Sequence, residues 1–515
     1  MGRPASPQSG APPFRCPGDA VAYHRAVMAS SRAATAVVPA SVVLERLPDL
    51  DAVRPIDAAE AFRDLPGLVL LESARPGRHG RWSYLSADPI AMLHERAGDG
   101  GSSPAAGPFE AAREMLARMD GSAIQGGPPF LGGLIGYLGY DLGRRLERLP
   151  NLAHADQDLP DLQLGLHDWV LAWDRRESRA YLAGRAVDGS GQRLAMRLAD
   201  VQARIADRSR NAAAAQDGAL APDGALAPVS PDEIVFTSGL DRTAFEQGVE
   251  AVRDAIARGE IYQANLTRRL ATAFDDDPWP LFRRLRMGDP ALMAAYLDLG
   301  PDPTGGGPRA ILSASPEPFL TVDADGRVST DPIKGTRPRG RTRAEDRALA
   351  RELLESGKDQ AENVMIVDVL RNDLGRVCRP GTVRVPRLCR LERTAAVQHL
   401  VTTVTGELAD DRDVFDLLAA AFPGGSITGA PKIQAMELIE RLEPVRRGPY
   451  TGAAGWIGPD GAMATSILIR TFVADGRRLT IHVGGGITWR SDPAAEWDET
   501  VAKVRGPLAA IGGRE

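Results

Sequence analysis

The six residues Asp-Gly-Ala-Leu-Ala-Pro occur twice in succession between Asp217 and Pro228. A repeat of small residues with two prolines has too little apolar surface to pack a core, so it is expected to form a flexible linker. The linker divides the chain into two long segments. We therefore predict an N-terminal region over 41–208, a linker over 209–229 and a larger C-terminal region over 230–510.

The first 40 residues are rich in Ala, Pro, Ser and Arg and show no sustained apolar periodicity. We interpret residues 1–40 as a disordered tail. An arginine-rich, acid-poor segment is also typical of a transit peptide, and Met28 offers an alternative start. The sequence leaves these alternatives open.

Composition excludes several classes of partner. The chain has 515 residues and a formal charge of -6, which gives no general attraction to nucleic acid or to an anionic membrane. It contains no apolar run long enough to span a bilayer. Cys16, Cys378 and Cys389 show no CxxC spacing, so they are expected to be reduced thiols of a cytosolic protein and not a disulfide or zinc framework.

A single lysine in the segment Asp331–Gly340 is the first candidate for chemistry. Pro332 fixes one backbone angle before Lys334, and Gly335 after it allows a turn or a close approach of a ligand. A lysine desolvated on such a constrained segment can act as a nucleophile. The alternative is a solvated loop lysine among arginines.

Two pairs of acidic residues share one spacing. Asp359 and Glu362 are three residues apart in a helical pattern, as are Glu496 and Glu499, so each pair projects from one helix face. Such carboxylates suit Mg²⁺, a hard cation that prefers oxygen ligands, although either pair alone could be a solvated acidic face. Lys503 follows Glu499 by four residues and could pair with it.

Six segments in a fixed order resemble the chorismate-binding enzymes, a family that includes anthranilate, aminodeoxychorismate, isochorismate and salicylate synthases. The resemblance is strong over about 230–506 and weaker over 70–150. It implies an α+β fold in which two large, mostly antiparallel sheets pack on each other with helices outside. The segments are Ser313–Glu317, Asp331–Gly340, Asp359–Glu362, Pro423–Lys432, Val483–Ile487 and Glu496–Glu499.

The resemblance also implies roles for individual residues. The expected catalytic residues are Lys334, Glu317 and His399. The expected Mg²⁺ ligands are Glu362 and Glu499, with Asp359 and Glu496 binding directly or through water. The expected substrate-binding residues are Gly335, Thr336, Tyr450, Arg470, Gly484, Gly485, Gly486 and Lys503. Among these, the three consecutive glycines leave backbone N–H groups open to a carboxylate.

The residue at position 334 implies the activity. Aminodeoxychorismate-forming members of the family have lysine there, and anthranilate synthases have alanine. The resemblance therefore implies amination of chorismate for 4-aminobenzoate and folate synthesis, with ammonia from a glutamine amidotransferase subunit, component II. Gln263 stands where isochorismate and salicylate synthases have a lysine base. An anthranilate synthase large subunit and a non-catalytic chorismate- or tryptophan-binding regulator are the alternatives.

A second ligand site is expected near Ser73. The segment Leu70-Leu-Glu-Ser73 resembles the wall of the family's tryptophan pocket, although an ordinary hairpin would have the same pattern. The segment Pro290–Tyr296 departs from the Pro-Tyr-Met pattern of the enzymes inhibited by tryptophan. The sequence therefore predicts a pocket and leaves tryptophan binding open.

Overall fold

Alternating apolar and polar segments build two large antiparallel sheets. The computed structural model describes residues 41–75, 79–96, 107–122, 124, 126–216, 234–394 and 397–515, together with Gly2. In chain order the strands are β1 (Val42–Arg46), β2 (Val69–Glu72), β3 (Trp82–Ser86), β4 (Ala91–Glu95), β5 (Gly133–Leu138), β6 (Leu162–His167), β7 (Trp169–Asp174), β8 (Arg179–Arg185), β9 (Ile234–Val235), β10 (Thr237–Ser238), β11 (Gln263–Ala273), β12 (Met293–Pro301), β13 (Pro308–Ser315), β14 (Pro318–Val322), β15 (Arg327–Thr330), β16 (Ile333–Pro338), β17 (Arg384–Arg393), β18 (Val397–Glu407), β19 (Gly429–Ala430), β20 (Ala453–Ile457), β21 (Met463–Ile467), β22 (Thr471–Asp475), β23 (Arg478–Ile487) and β24 (Gly513–Arg514).

The strand order interleaves the two regions of the chain. The first sheet runs β1-β8-β7-β3-β2-β12-β13-β22-β23-β11-β10, with β19 beside β11. The second runs β16-β18-β15-β14-β21-β20-β5-β6-β4, with β17 beside β18. Strands from before and after the predicted linker lie in both sheets, and the described residues from Ser41 onward form one compact unit. The parallel pair β24-β9 is separate.

The helices cover the outer faces of the sheets. They are α1 (Pro55–Ala58), α2 (Glu110–Leu116), α3 (Gly143–Leu146), α4 (Gly191–Gln216), α5 (Arg242–Ala257), α6 (Trp279–Gly288), α7 (Arg343–Glu355), α8 (Gly357–Gly375), α9 (Val414–Ala421), α10 (Gly425–Thr428), α11 (Lys432–Leu442) and α12 (Pro493–Ile511). Short 3₁₀ turns occur at Pro48–Leu50, Ala59–Phe62 and Tyr140–Leu142. No described helix is long and apolar enough to cross a membrane.

Apolar side chains from both sheets meet in a central layer. The ring centroids of Phe130 and Trp456 are 4.9 Å apart, and Tyr84 approaches them edge-on at 5.6 and 5.9 Å. These aromatic contacts add to the burial of apolar area and hold the sheets face to face. The predicted α+β fold of two packed antiparallel sheets with helices outside is confirmed.

The predicted tail and linker lie largely outside the described residues. Apart from Gly2, nothing is described for residues 1–40. Helix α4 extends to Gln216 and so includes the first residues of the predicted linker over 209–229. The duplicated segment itself, from Asp217 onward, is not described.

Candidate active site

Lys334 lies on β16 and is held by two acceptors from other parts of the chain. Its Nζ atom donates to the backbone carbonyl of Ser426 at 3.0 Å and lies 3.1 Å from Oε1 of Glu362. Only 12% of the side chain is exposed. The lysine therefore differs from a solvated loop lysine, and its amine points into a polar cluster.

Gly335 creates an irregularity in the pairing of β16 with β18. Its φ angle is +74°, which glycine adopts without strain, and the register shifts between Lys334 and Thr336. A Cβ atom at this position would lie 3.0 Å from Cβ of Asp359. The glycine thus lets the lysine strand approach helix α8 closely.

Glu317 is buried immediately before β14, beside the lysine. Burial raises the pKa of Glu317 above its ordinary value, while the Lys334 charge and hydrogen bonds with the Ser426 side chain and the Ile333 backbone oppose the rise. The carboxyl therefore keeps a proton at higher pH than an exposed glutamate does. This is the property required of a general acid.

A chain of amides connects β11 to the lysine cluster. Nε2 of Gln263 lies 3.3 Å from Oδ1 of Asn265 and 3.2 Å from Glu362, and Asn265 donates to the Ser426 carbonyl at 3.1 Å. Oε1 of Gln263 is buried and has no hydrogen-bond partner among the described residues. A buried acceptor left open in this way suits a bound ligand or water.

His399 lies on β18, opposite Thr336. Its Nδ1 atom is 2.9 Å from Oγ1 of Thr336. Burial, with smaller contributions from the charges of Arg470 and Arg75, lowers the pKa of His399 to about 4. The imidazole is therefore neutral at pH 7 and can orient a hydroxyl group by hydrogen bonding.

Two helices bring the predicted metal ligands toward the glycine strand β23. A Cβ atom at Gly485 would lie 3.4 Å from Oε2 of Glu496 and 3.6 Å from Oε1 of Glu499 on α12. A Cβ atom at Gly486 would lie 3.0 Å from Oε1 of Glu362 on α8. The absence of side chains at Gly485 and Gly486 therefore makes room for carboxylates from both helices.

The predicted Asp359 differs from the other three carboxylates. Its Oδ2 atom lies 3.3 Å from Nη2 of Arg337, and its side chain packs beside Gly335. Ser356 is the N-cap of helix α8, and its side chain accepts a hydrogen bond from the Asp359 backbone N–H. This cap sets where helix α8 starts and hence where its acidic residues point.

Lysines hold two of the carboxylates in this arrangement. Lys334 pairs with Glu362, and Nζ of Lys503 lies 2.6 Å from Oε1 of Glu499. Burial raises the pKa of Glu496, and the neighbouring Glu499 charge raises it further.

Among the described residues, no three acidic, histidine or cysteine side chains are close enough together to hold a metal ion. The oxygen donors fit Mg²⁺ chemically, and their side chains would have to leave the lysines to bind it.

The substrate-binding residues predicted on the sheets occupy separate positions. Nζ of Lys503 donates to the carbonyl of Gly484 at 2.9 Å, which ties α12 to β23. The Tyr450 ring is buried and stacks on His482 at 4.8 Å between centroids. Arg470 lies in the break between β21 and β22 with a φ of +50°. It is therefore held at the end of the first sheet.

A cavity of about 530 Å³ lies between the two sheets at the predicted tryptophan pocket. Ser73 lines it, and its Oγ atom donates to the carbonyl of Trp82 at 3.1 Å. Met293 and Ala294, from the segment that departs from the inhibited enzymes, line the same cavity. The pocket predicted near Ser73 is thus present as a space. Its ligand stays a prediction.

Sequence reasoning missed Ser426 and Asn265 as members of the cluster. Ser426 belongs to the glycine-rich segment quoted in the resemblance, but its backbone carbonyl is what binds Lys334. A backbone contact leaves no signature in residue type. Asn265 lies two residues after Gln263 on a strand, so a period of two could have placed both on one face.

The fold and this cluster define a class of enzyme. Two packed antiparallel sheets carry a buried lysine, paired glutamates on two helices and a triple-glycine strand. The chain belongs to the chorismate-binding enzyme family, whose sequence model matches residues 68–509. The resemblance expected from the sequence is confirmed.

Particular relatives narrow the class. Anthranilate synthase component 1 from Streptomyces coelicolor is 38% identical over 475 residues, covering 90% of this chain and 87% of that protein. Aminodeoxychorismate synthase component 1 from Klebsiella aerogenes is 38% identical over 470 residues, covering 87% and 95%. The crystal structure of anthranilate synthase component I from Streptococcus pneumoniae matches with a TM-score of 0.70 at 28% identity, covering 84% of this chain and 93% of that one. Because both relatives are 38% identical to this chain, overall identity does not distinguish the two amination products. The distinction depends on the residues of the site.

Proposed function

We propose that this chain is an aminodeoxychorismate synthase component I, which converts chorismate and ammonia to 4-amino-4-deoxychorismate. The observation that carries the proposal is the buried lysine at position 334, whose amine lies 3.1 Å from Glu362 and whose charge opposes the burial-induced rise in the pKa of Glu317. Anthranilate synthases resemble this segment but have alanine at that position. Of the two aminations, only the one at C4 of chorismate is proposed to use a nucleophilic side chain of the enzyme.

The proposed chemistry begins with addition of the lysine. The Nζ atom of Lys334 forms a bond to C2 of chorismate, both conjugated double bonds of the ring shift by one position, and the C4–O bond breaks. Glu317 donates its proton to the departing hydroxyl, which leaves as water. Ammonia then bonds to C4, both double bonds shift back and the lysine is expelled as the neutral amine, while the new C4 ammonium returns one proton to Glu317. Atoms and charge balance without an oxidant or reductant.

Lys334 must lose a proton before it can attack. Burial would raise the pKa of Glu362, but the charge of Lys334 and hydrogen bonds from Lys334 and Gln263 bring it below its ordinary value. The ionised carboxylate lies 3.1 Å from Nζ and can accept that proton. His399, neutral at pH 7, is suited to orient the C4 hydroxyl.

The acidic residues of the two helices are proposed to bind the cation, and Lys503 and the glycines of β23 are proposed to bind the substrate. Glu362, Glu496 and Glu499 would hold Mg²⁺, with Asp359 acting through water. When bound, the cation supplies positive charge for the ring carboxylate. Lys503 and those backbone N–H groups of Gly484–Gly486 that point away from β11 would bind the same carboxylate, since an unpaired buried charge is costly.

The proposed ammonia source is a separate glutamine amidotransferase subunit. A glutaminase needs an activated thiolate. Burial raises the pKa of Cys378 to about 11 and also raises that of Cys389, although a hydrogen bond with Thr402 opposes the second rise. Cys16 lies outside the described residues. Neither described thiol is suited to the task.

An anthranilate synthase large subunit is the nearest alternative, and the named relatives include both activities at the same identity. A non-catalytic regulator that binds chorismate or tryptophan belongs to a different class. The buried lysine with an adjacent acid counts against it, since a sensor needs no nucleophile. The cavity at Ser73 would allow either enzyme to bind tryptophan as well.

Product identification decides between these functions. The purified chain is incubated with chorismate, Mg²⁺ and ammonium at raised pH, and the products are separated and identified by mass spectrometry. We expect 4-amino-4-deoxychorismate. Anthranilate with pyruvate would support the alternative enzyme, and unchanged chorismate with intact binding would support a regulator.

A further inference from the structure

Two arginines from different regions of the chain lie at the same end of the first sheet. Strands β2, β12, β13 and β22 are consecutive and antiparallel there, so the end of β2 and the start of β22 lie on the same side. Arg75 follows β2, and the preceding N–H of Ala74 donates to the carbonyl of Ala291 at 3.0 Å. Arg470 precedes β22, and its carbonyl accepts from the N–H of Ala314 at 3.0 Å. The backbone thus fixes both positions.

This end of the sheet borders the active site. Strand β13 ends there at Ser315, and the buried acid Glu317 follows two residues later. The charges of Arg470 and Arg75 both act on His399, whose pKa they lower in addition to the larger effect of burial. Both guanidinium groups are therefore close enough to the imidazole for their charges to act on it.

Positive charge exceeds negative charge at this position. Asp289, the C-cap residue of helix α6, lies 3.8 Å from Nη1 of Arg470, too far for a hydrogen bond. Arg75 is half-buried, and the structure gives its guanidinium no hydrogen-bonded partner among the residues it describes. Burial lowers the pKa of Arg75, and the like charge of Arg470 lowers it further, against the charge of Asp289. Guanidinium donors left open beside a substrate site suit a carboxylate.

We propose that Arg75 and Arg470 together bind one carboxylate of the substrate, with Arg75 as a binding residue supplied by the N-terminal region. The inference rests on the proposed function and extends it. Lys503 and the glycines of β23 are proposed to take the ring carboxylate. The arginine pair then takes the carboxylate of the enolpyruvyl side chain. Two guanidiniums offer more donors than the single Arg470 expected from sequence.

Binding of chorismate to the purified full chain tests this assignment. Its Kd is measured by calorimetry with Mg²⁺ and without ammonia, for wild type and for Arg75→Gln, Arg75→Met and Arg470→Gln. Arg179→Gln, on the exposed β7–β8 hairpin, removes the same charge away from the site and is the matched control. We expect each Arg75 variant to raise Kd about tenfold, with wild-type thermal stability. The control should bind as wild type does.

The double variant gives a second readout. If both arginines share one carboxylate, Arg75→Gln with Arg470→Gln should raise Kd by less than the product of the single effects. A Kd within twofold of wild type in the Arg75 variants, while Arg470→Gln weakens binding, would overturn the proposal. Failure of both Arg75 variants to fold would also overturn the proposal, because it would show that the Arg75 side chain is needed for stability. Because binding is measured without turnover, anthranilate as the product would contradict the proposed function and leave the role of Arg75 standing.

Discussion

Nζ of Lys334 and Oε1 of Glu362 lie 3.1 Å apart in a largely buried pair. The proposed nucleophile and a proposed cation ligand thus form an ion pair with each other. A divalent cation at Glu362 would compete with the lysine for this oxygen and would leave the amine without its carboxylate partner. Cation binding and lysine reactivity are therefore expected to depend on each other.

Replacing Lys334 by Ala should reduce 4-amino-4-deoxychorismate formation at least about a hundredfold, because the proposed route runs through a covalent adduct. Incubation with chorismate and Mg²⁺ without ammonia should add mass to the Lys334 peptide. The chain has only four lysines, and the peptides with Lys358, Lys432 and Lys503 serve as internal controls. An unmodified Lys334 peptide together with full activity of the alanine variant would contradict the nucleophile.

Replacing Glu362 or Glu499 by Gln should raise the Mg²⁺ concentration needed for half-maximal activity about tenfold or more, because a charged oxygen ligand is lost. The measurement is a Mg²⁺ titration of the ammonia-dependent rate. Glu437→Gln, on helix α11 in an exposed pair with Arg441, is the matched control. If both site variants keep the wild-type Mg²⁺ dependence, these residues are not the ligands.

Alanine at two neighbouring glycines should have different effects. A Cβ atom at Gly484 would collide with the backbone oxygen of Leu266, so Gly484→Ala should destabilise the fold by about 1–3 kcal/mol. At Gly485 it would make ordinary contacts of 3.4 Å or more and extend between Glu496 and Glu499. Gly485→Ala should therefore fold normally and raise KM for chorismate. Thermal melts and KM values check both, and a Gly485 variant with unchanged KM would place the substrate elsewhere.

Acidification should destabilise the protein partly through His399. The pKa of His399 is about 4 in the folded chain, below the ordinary 6.5, because burial disfavours the charged imidazole. The unfolded state therefore binds more protons between these values, and the unfolding free energy falls as pH falls from about 6.5 to about 4. His399→Gln should remove up to about 3 kcal/mol of this fall. Denaturant unfolding at several pH values measures it, with the exposed His154→Gln as control. A slope identical to wild type would show that His399 titrates normally.

The purified chain should use ammonium salts and almost no glutamine. Cys378→Ala and Cys389→Ala should both keep the ammonia-dependent rate, because the raised pKa of each thiol leaves little nucleophilic thiolate. Product formation with each nitrogen source is the measurement. Robust turnover with glutamine by the homogeneous chain would contradict a separate amidotransferase.

Local patterns in the sequence were sufficient for the elements that carry the site. The spacing of Asp359 with Glu362, and of Glu496 with Glu499, predicted carboxylates on helices, and α8 and α12 are those helices. The segment 465–472, by contrast, has a strand pattern but is interrupted at Arg470 by a positive φ. Alternating residue types report burial on a sheet, and they do not report a local change of backbone direction.

The sequence by itself determined the family, the fold class, the chemical types of the candidate residues and the helices and strands that hold most of them, because these depend on local spacing and on ordered motifs. Tertiary structure alone decided which groups meet. The Ser426 carbonyl reaches Lys334 from a segment 92 residues away, and Arg75 comes close enough to Arg470 for the two charges to interact. Such contacts depend on strand order and on backbone atoms, which are common to all residue types and leave no trace in sequence.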